Sequence, residues 1–399
     1  MFSRRHKPDY WLPLLAVGLL AVGLVVVYAI SPGMSRQSGV SESYYISKQF
    51  IAIVLGIAAF VFLSRVPYTL WRRAVMPLVV VSLLSAIGVM IFGDRINGAY
   101  RWIQVGGVSF QPAELIKFTL LVGIADLLAK RKAAGQLGDQ RLTIQPLLMA
   151  LAAVGIAVGV LQSDFGSTTV MVAMMIAMMF IAGVPFARLA KLGVIIVIGM
   201  AILILPSDYR RGRVATFFNP AADCQNTGYQ SCQALIAVGS GGMFGLGLAR
   251  SVQAYGYLPE AANDSIFAIL AEKFGFFGVA LIIGAYALLF SRLTKVIERA
   301  PDDFSRLLVT GILAWFSVQA FINIGAMIGL LPLKGITLPF ISYGGTSLLF
   351  VTGALGLAFQ VSRYSSLSNH ISGGEQDGEN LASRRGDRRS YYTAAGRRS

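Results

Sequence analysis

Asp264 closes the run Leu258-Pro259-Glu260-Ala261-Ala262-Asn263-Asp264, where a long polar segment meets an apolar stretch. A carboxylate at a helix start is favoured by the helix macrodipole and can serve simply as a cap. The same stabilisation keeps it ionised, and an ionised carboxylate at a membrane surface can act as general base toward a sugar hydroxyl. Glu260, four residues earlier, supplies a second acid, although two acids at that spacing are by themselves a weak sign of sugar transfer. Glu114 and Lys117 stand three apart on one face of an apolar run. They either tie two helices together or present a carboxylate and an ammonium to a polar cavity. Asp126, Glu272 and Lys273 also fall within apolar runs and read as structural charges.

Arg210, Arg211 and Arg213 open the long polar segment, and Arg95, Arg101 and Lys334 occupy other segments on the same side. Arginine suits phosphate through paired hydrogen bonds, so a bound lipid pyrophosphate is one reading and scattered solvated cations the other. Cys224 and Cys232, eight apart in the same segment, are able to join on an oxidising side. No His or further Cys accompanies them, which leaves a redox or metal centre without support. The run from Gly239 to Gly247 lacks the order of a phosphate loop and reads as a flexible or tightly packed turn.

The elements that must position these residues belong in a bilayer. Of the 399 residues, 55% are hydrophobic and 13% charged, against about 25% charged in a soluble globular chain. Apolar runs long enough to span hydrocarbon lie near Trp11–Ile30, Ser47–Ser64, Ala74–Gly93, Pro112–Lys130, Gln145–Leu161, Ser167–Gly183, Arg188–Leu205, Asp264–Phe290, Leu307–Leu331 and Ser342–Arg363. The expected fold is therefore all-α: a polytopic integral membrane protein of about ten transmembrane helices. Residues 1–10 form a short cytoplasmic segment, 11–363 the membrane domain, and 206–263 a large extracytoplasmic loop between spans seven and eight. Residues 364–399 are too polar to bury a core and are expected to be a disordered basic tail. Most of the 34 Lys and Arg fall in segments that an arrangement with both termini cytoplasmic puts inside, as the positive-inside rule requires. That pattern explains the net charge of +15 as a topology signal, not a nucleic-acid footprint. The two histidines, His6 and His370, lie in the terminal segments, which makes heme ligation and a His-based zinc site improbable.

Several segments then become recognisable. They are Asn97-Gly98-Ala99-Tyr100-Arg101-Trp102-Ile103 with Phe110-Gln111-Pro112-Ala113-Glu114-Leu115-Ile116-Lys117; Gln162-Ser163-Asp164-Phe165-Gly166; Phe218-Asn219-Pro220 leading to Gly228-Tyr229-Gln230; and the stretch from Lys334 to Ser347 through Leu338-Pro339-Phe340-Ile341-Ser342-Tyr343-Gly344-Gly345. In this order they resemble the SEDS family (shape, elongation, division and sporulation), which polymerises peptidoglycan glycan strands. Ser251-Val252-Gln253 followed by Tyr257-Leu258-Pro259-Glu260-Ala261 looks more like the division member than the elongation member. The chain departs from the family at three places. Glu260-Ala261-Ala262-Asn263-Asp264-Ser265 stands where Glu-x-His-Thr-Asp-Phe is usual, Ser163 where Pro is usual, and Glu272-Lys273 where Glu-Glu is common.

The resemblance implies that Asp264 is the essential catalytic carboxylate. It also implies that Arg101, Trp102, Glu114, Lys117 and Lys334 line the cavity for lipid-linked sugars, to which the charge pattern adds Arg213 and Glu260. In that reading Asp264 takes the proton of an acceptor 4-hydroxyl, and lipid pyrophosphate leaves with inversion. Arg101, Lys117, Arg213 and Lys334 are then candidates to stabilise the leaving charge. No cofactor is required and no ligand cluster demands a metal, although a divalent cation could assist. The implied partners are lipid II, a lipid-linked glycan strand, a class B penicillin-binding protein and other divisome membrane proteins in a bacterial inner membrane. A lipid II flippase, an elongation-type polymerase and a noncatalytic scaffold are the alternatives.

Overall fold

The computed structural model describes residues 3–5, 7–96, 99–105, 108–204, 217, 224–226, 228–248 and 250–366. Its helices are α1 (Trp11–Ser38), α2 (Ser43–Arg65), α3 (Val75–Phe92), α4 (Pro112–Ala133), α5 (Gln145–Val154), α6 (Phe165–Ala182), α7 (Phe186–Ile204), α8 (Tyr229–Ser240), α9 (Ile266–Arg299), α10 (Asp303–Met327) and α11 (Gly345–Val361). Wider π-helical turns extend α5 on both sides, from Gln140 to Leu161. Seven of these segments are long and apolar enough to cross a membrane, and α11 is apolar but shorter. The chain is therefore a polytopic membrane protein.

Each predicted apolar run lies on one of these helices, with shifted ends. The predicted Leu307 start moves back to Asp303 because Asp302 and Ser305 form a reciprocal capping box there. The same helix ends at Met327, before Gly329 at φ +77° turns the chain.

The all-α expectation needs amendment. Strands β2 (Asp94–Ile96), β3 (Ala99–Val105) and β4 (Val108–Phe110) form a three-stranded antiparallel sheet in which Ile103 faces Phe110. Its residues, Tyr100-Arg101-Trp102-Ile103-Gln104-Val105, are rich in aromatic and branched types, a strand composition in a segment that the apolar count passes over. Strand β1 (Ser3–Arg5) pairs antiparallel with β5 (Tyr364–Ser366), so the predicted tail opens with three ordered residues. The rest of that tail, from 367 onward, lies outside the described residues.

Close helix packing rests on small residues, as expected where hydrocarbon provides no hydrophobic drive between helices. A Cβ on Gly311 of α10 would lie 2.3 Å from Leu121 of α4 and 2.8 Å from the Met178 sulfur of α6, so these three helices approach through that glycine. Gly56 meets Thr352, and Gly356 meets the Phe60 carbonyl, along the α2–α11 seam.

Helix α9 is broken at Gly275, whose φ of +64° and ψ of −166° are not helical. A break frees backbone groups that lipid cannot satisfy. The glycine run supplies the partners: Leu246 and Gly247 donate to the carbonyls of Glu272 and Lys273 at 2.9 and 3.0 Å, and Phe276 and Phe277 donate to those of Gly242 and Met243 at 2.9 and 3.2 Å. Gly241 and Gly245 sit so close to the α9 backbone that a Cβ would fall 2.0 Å from the Ala271 oxygen and 2.2 Å from the Lys273 oxygen. Of the two readings of the run, the tightly packed turn is the one observed.

Candidate functional site

The turn before α9 presents Asp264. Glu260 adopts a left-handed φ of +52°, and its carbonyl accepts from the N–H groups of Asn263 and Ser265 at 3.0 and 3.2 Å. The Asn263 amide donates to the Glu260 carboxylate at 2.5 Å, so this acid holds the turn. Ser265 donates to the Pro259 carbonyl and accepts from Gln230 of α8 at 3.1 Å.

Three successive carbonyls just ahead of α9 are each bound by a different group. Ala262 accepts from the Tyr343 N–H at 2.8 Å, Asn263 from the Ser342 hydroxyl at 2.6 Å, and Asp264 from the Asn323 amide at 2.7 Å. The backbone carrying the candidate carboxylate is thus fixed from α10 and from the segment preceding α11. The Tyr343 ring packs edge-on against Tyr45, with centroids 5.8 Å apart.

Asp264 and Lys334 line one small open pocket, together with Asn323, Gly335 and the apolar side chains Ile322, Ala326, Met327, Leu333 and Ile336. Gly335 has a φ of +64°, and a Cβ there would stand 3.6 Å from Asp264 Oδ2. Gly166, at the start of α6, lets that helix touch the same segment: a Cβ on it would fall 2.6 Å from the Lys334 carbonyl oxygen. A half-buried carboxylate and a half-buried ammonium share this pocket. In a site of lowered dielectric the pair can take up a proton and oppose developing negative charge.

Glu114 and Lys117 lie deeper. Their side chains are about 3–4% exposed and joined at 2.7 Å. The Lys117 ammonium stands 5.3 Å from the Trp315 ring centroid. Trp315 donates to Gln319 at 2.8 Å, and Gln319 donates to the carbonyl and hydroxyl of Thr337 at 2.9 and 3.0 Å. A polar relay therefore links the ion pair to the segment bearing Lys334, although neither ion-pair residue lines the pocket.

Arg101 is turned toward backbone: Nε donates to the Gln162 carbonyl at 2.9 Å and Nη2 to that of Ser163 at 2.6 Å. Ser163, one of the departures noted above, has a φ of +50°. Trp102 is half-buried in β3 opposite Asp94. Arg210, Arg211, Arg213 and Phe218-Asn219-Pro220 lie outside the described residues. The Cys224 and Cys232 sulfurs are 2.00 Å apart.

The charges read as structural do hold structure. The Glu272 carboxylate accepts from the Ser251 hydroxyl and from the N–H groups of Val252 and Gln253 at 2.8 and 3.1 Å, and Lys273 donates to the Leu248 carbonyl at 2.7 Å. Asp126 pairs with Arg72 at 2.9 Å and Lys130 at 2.6 Å. Asn323 and Gln319 are the site residues that the sequence reading missed. Their signal was present, as two amides four apart in an otherwise apolar span, but it carries no charge.

Residues 10–367 match the family model for the FtsW, RodA and SpoVE group, described as cell cycle protein. The chain belongs to this family. It is 35% identical over 367 residues to stage V sporulation protein E of Bacillus subtilis, covering 92% of this chain and all of that one. It is 38% identical over 361 residues to the "Probable peptidoglycan glycosyltransferase FtsW" of Coxiella burnetii, covering 88% and 95%. Among solved structures, it is similar to a chain from "Structural coordination of polymerization and crosslinking by a peptidoglycan synthase complex" with a TM-score of 0.75, at 26% identity over 90% of this chain and 98% of that one. It is also similar to the rod shape determining protein RodA of Thermus thermophilus, with a TM-score of 0.66 and 27% identity, covering 90% and 97%.

Proposed function

We propose that this protein is a peptidoglycan glycosyltransferase that polymerises lipid II during septal wall synthesis. The observation carrying the reading is the pocket that Asp264 and Lys334 both line at the head of α9. Asp264 accepts the proton of the acceptor sugar's 4-hydroxyl. The freed oxygen forms the new bond to the anomeric carbon of the growing strand, the bond from that carbon to the lipid pyrophosphate breaks, and the configuration inverts. Lys334 opposes the charge gathering on the departing pyrophosphate, an interaction that strengthens in the transition state. Arg101 acts at one remove, through the backbone of Gln162 and Ser163. Glu114 and Lys117 stiffen the relay beneath, and Arg213 adds positive charge from the long polar segment. The residues supply this chemistry without a resident cofactor, and a divalent cation arriving with the pyrophosphate is compatible with it.

In this reading the chain crosses the membrane ten times and the long segment between α7 and α9 is extracytoplasmic. Pairing of β1 with β5 supports an even number, because it holds the two ends of the bundle's chain together. The positive-inside distribution puts that pair in the cytoplasm of a bacterial inner membrane. The family relative described within a peptidoglycan synthase complex supports a class B penicillin-binding protein as partner.

The test is polymerisation of purified lipid II by the wild type and by Asp264→Asn, each with and without a cognate penicillin-binding protein lacking a transglycosylase domain. Glycan ladders that the substitution abolishes, in a complex that still assembles, are the expected result. A mutant matching the wild type would sink the catalytic role, and no ladder from an assembled wild-type complex would turn attention to lipid II flipping.

A further inference from the structure

Asn323 stands on α10 and is 2% exposed. One amide nitrogen, Nδ2, reaches two backbone carbonyls that are far apart in sequence: that of Asp264 at 2.7 Å and that of Ile336 at 2.6 Å. Both partners are acceptors, so the nitrogen must face them and the orientation of the amide is fixed. The oxygen, Oδ1, is then directed elsewhere and has no partner among the described residues. Asn323 is also part of the pocket wall, beside Asp264, Lys334, Gly335 and Ile336.

A single side chain therefore ties the residue that carries the candidate base to the segment that carries the candidate cation. We infer that Asn323 is a positioning residue for glycosyl transfer, setting the Asp264 carboxylate and the Lys334 ammonium in register across the pocket. The inference rests on the reading of Asp264 as general base.

The local backbone explains why a brace is needed. Asp264 precedes the first helical residue of α9, so its carbonyl lies outside the regular hydrogen-bond ladder of that helix. The segment from Lys334 to Thr337 has no regular secondary structure, and Gly335 takes a left-handed conformation that gives the chain freedom there. Two pieces of irregular backbone face each other, and α10 is the regular element between them. A donor fork projecting from a buried helix converts the rigidity of α10 into a fixed separation of two loops. An ordinary core asparagine would satisfy its neighbours equally well anywhere in the bundle. This one satisfies the two carbonyls whose side chains, or whose near neighbours' side chains, form the polar part of the pocket.

A misplacement of reacting groups by about 1 Å can cost about 10²-fold in rate. Asn323→Ala removes both donors, and Asn323→Ser keeps one hydroxyl donor within a smaller side chain. Lipid II polymerisation is measured with the full chain in complex with its penicillin-binding partner, as kcat and KM per folded complex, with Asp264→Asn assayed alongside. The expected result is a fall in kcat of about 10²-fold for Asn323→Ala with KM within about twofold of wild type, and partial recovery of kcat in Asn323→Ser.

Either of two results overturns the inference while leaving the proposed function standing. In the first, kcat per folded complex is unchanged in both variants while Asp264→Asn is inactive. In the second, the loss appears in KM alone. Failure of both Asn323 variants to fold would likewise overturn it, by assigning the residue to stability. Polymerisation that survives Asp264→Asn strikes instead at the proposed function.

Discussion

Replacing Lys117 by methionine removes one half of the ion pair sealed inside α4 and leaves the Glu114 carboxylate without its counter-charge. At the 2.7 Å separation and an effective dielectric constant of about 20, the gross attraction is about 6 kcal/mol. The cost of withdrawing both charges from water offsets much of this, at several kcal/mol per ion. The net value of the pair is thus small, whereas breaking it is expensive, at about 3–5 kcal/mol. Glu114 Oε2 has no partner among the described residues, which makes the stranded carboxylate harder still to accommodate. Glu114→Gln combined with Lys117→Met removes both charges at nearly constant volume and is expected to return stability to within about 1 kcal/mol of wild type. The assay is reversible unfolding of the three proteins in mixed micelles at pH 7, followed by polymerisation measurements on each folded form. Equal stability of the single and double variants would refute the argument from uncompensated charge. Full polymerisation by the folded double variant would refute a part for the relay in the reaction.

Two further outcomes follow from local geometry. Gly166→Ala brings a Cβ to within 2.6 Å of the Lys334 carbonyl oxygen. No rotamer relieves a clash with backbone, so stability should fall by about 1–3 kcal/mol and turnover should drop with it. Gly284→Ala on α9, where a Cβ meets nothing within 4 Å, is the matched control and should be neutral. Near the paired termini, Tyr68 donates to Asp302 Oδ2 at 2.6 Å, and burial followed by Asp302 raises its phenol pKa far above the ordinary value. Tyr68→Phe should cost about 1.5–3 kcal/mol. Because the folded-state pKa is raised, the contribution is complete below about pH 10 and declines as pH rises beyond that. Unfolding of both proteins between pH 7 and 11 should show the gap closing only at the alkaline end, and a gap that closes below pH 9 would contradict the assignment.

The sequence revealed most where a residue violated its surroundings. Asp264 could be found because a carboxylate stood where polar chain becomes apolar, and Glu114 with Lys117 because charges in a span demand a reason. Lys334 stood out first as a cation on the side where the positive-inside pattern expects few, and its motif then placed it among the expected site residues. Asn323 escaped because a search keyed to charge ignores a neutral amide, and its two carbonyl partners lie 59 and 13 residues away. The Gly275 break escaped for a different reason. Glycine is common in membrane helices, and whether it breaks one depends on a partner backbone that no local window contains. Arg101 shows what charge alone leaves out: its charge suggested an anion, and in the fold two of its five N–H donors also tie down the carbonyls of Gln162 and Ser163.

The docking of the glycine run on α9 has a consequence for biogenesis. The run precedes α9 in the chain and is synthesised first, so α9 reaches the translocon as a continuous apolar stretch that nothing yet compels to break. Its final shape is acquired only when the waiting loop closes on it and four N–H groups find their acceptors. The break at Gly275 is thereby tied to a late assembly step, after the bilayer has already accepted the helix. A lesion in the loop would leave a protein correctly inserted and correctly oriented, yet with α9 unfinished at its break.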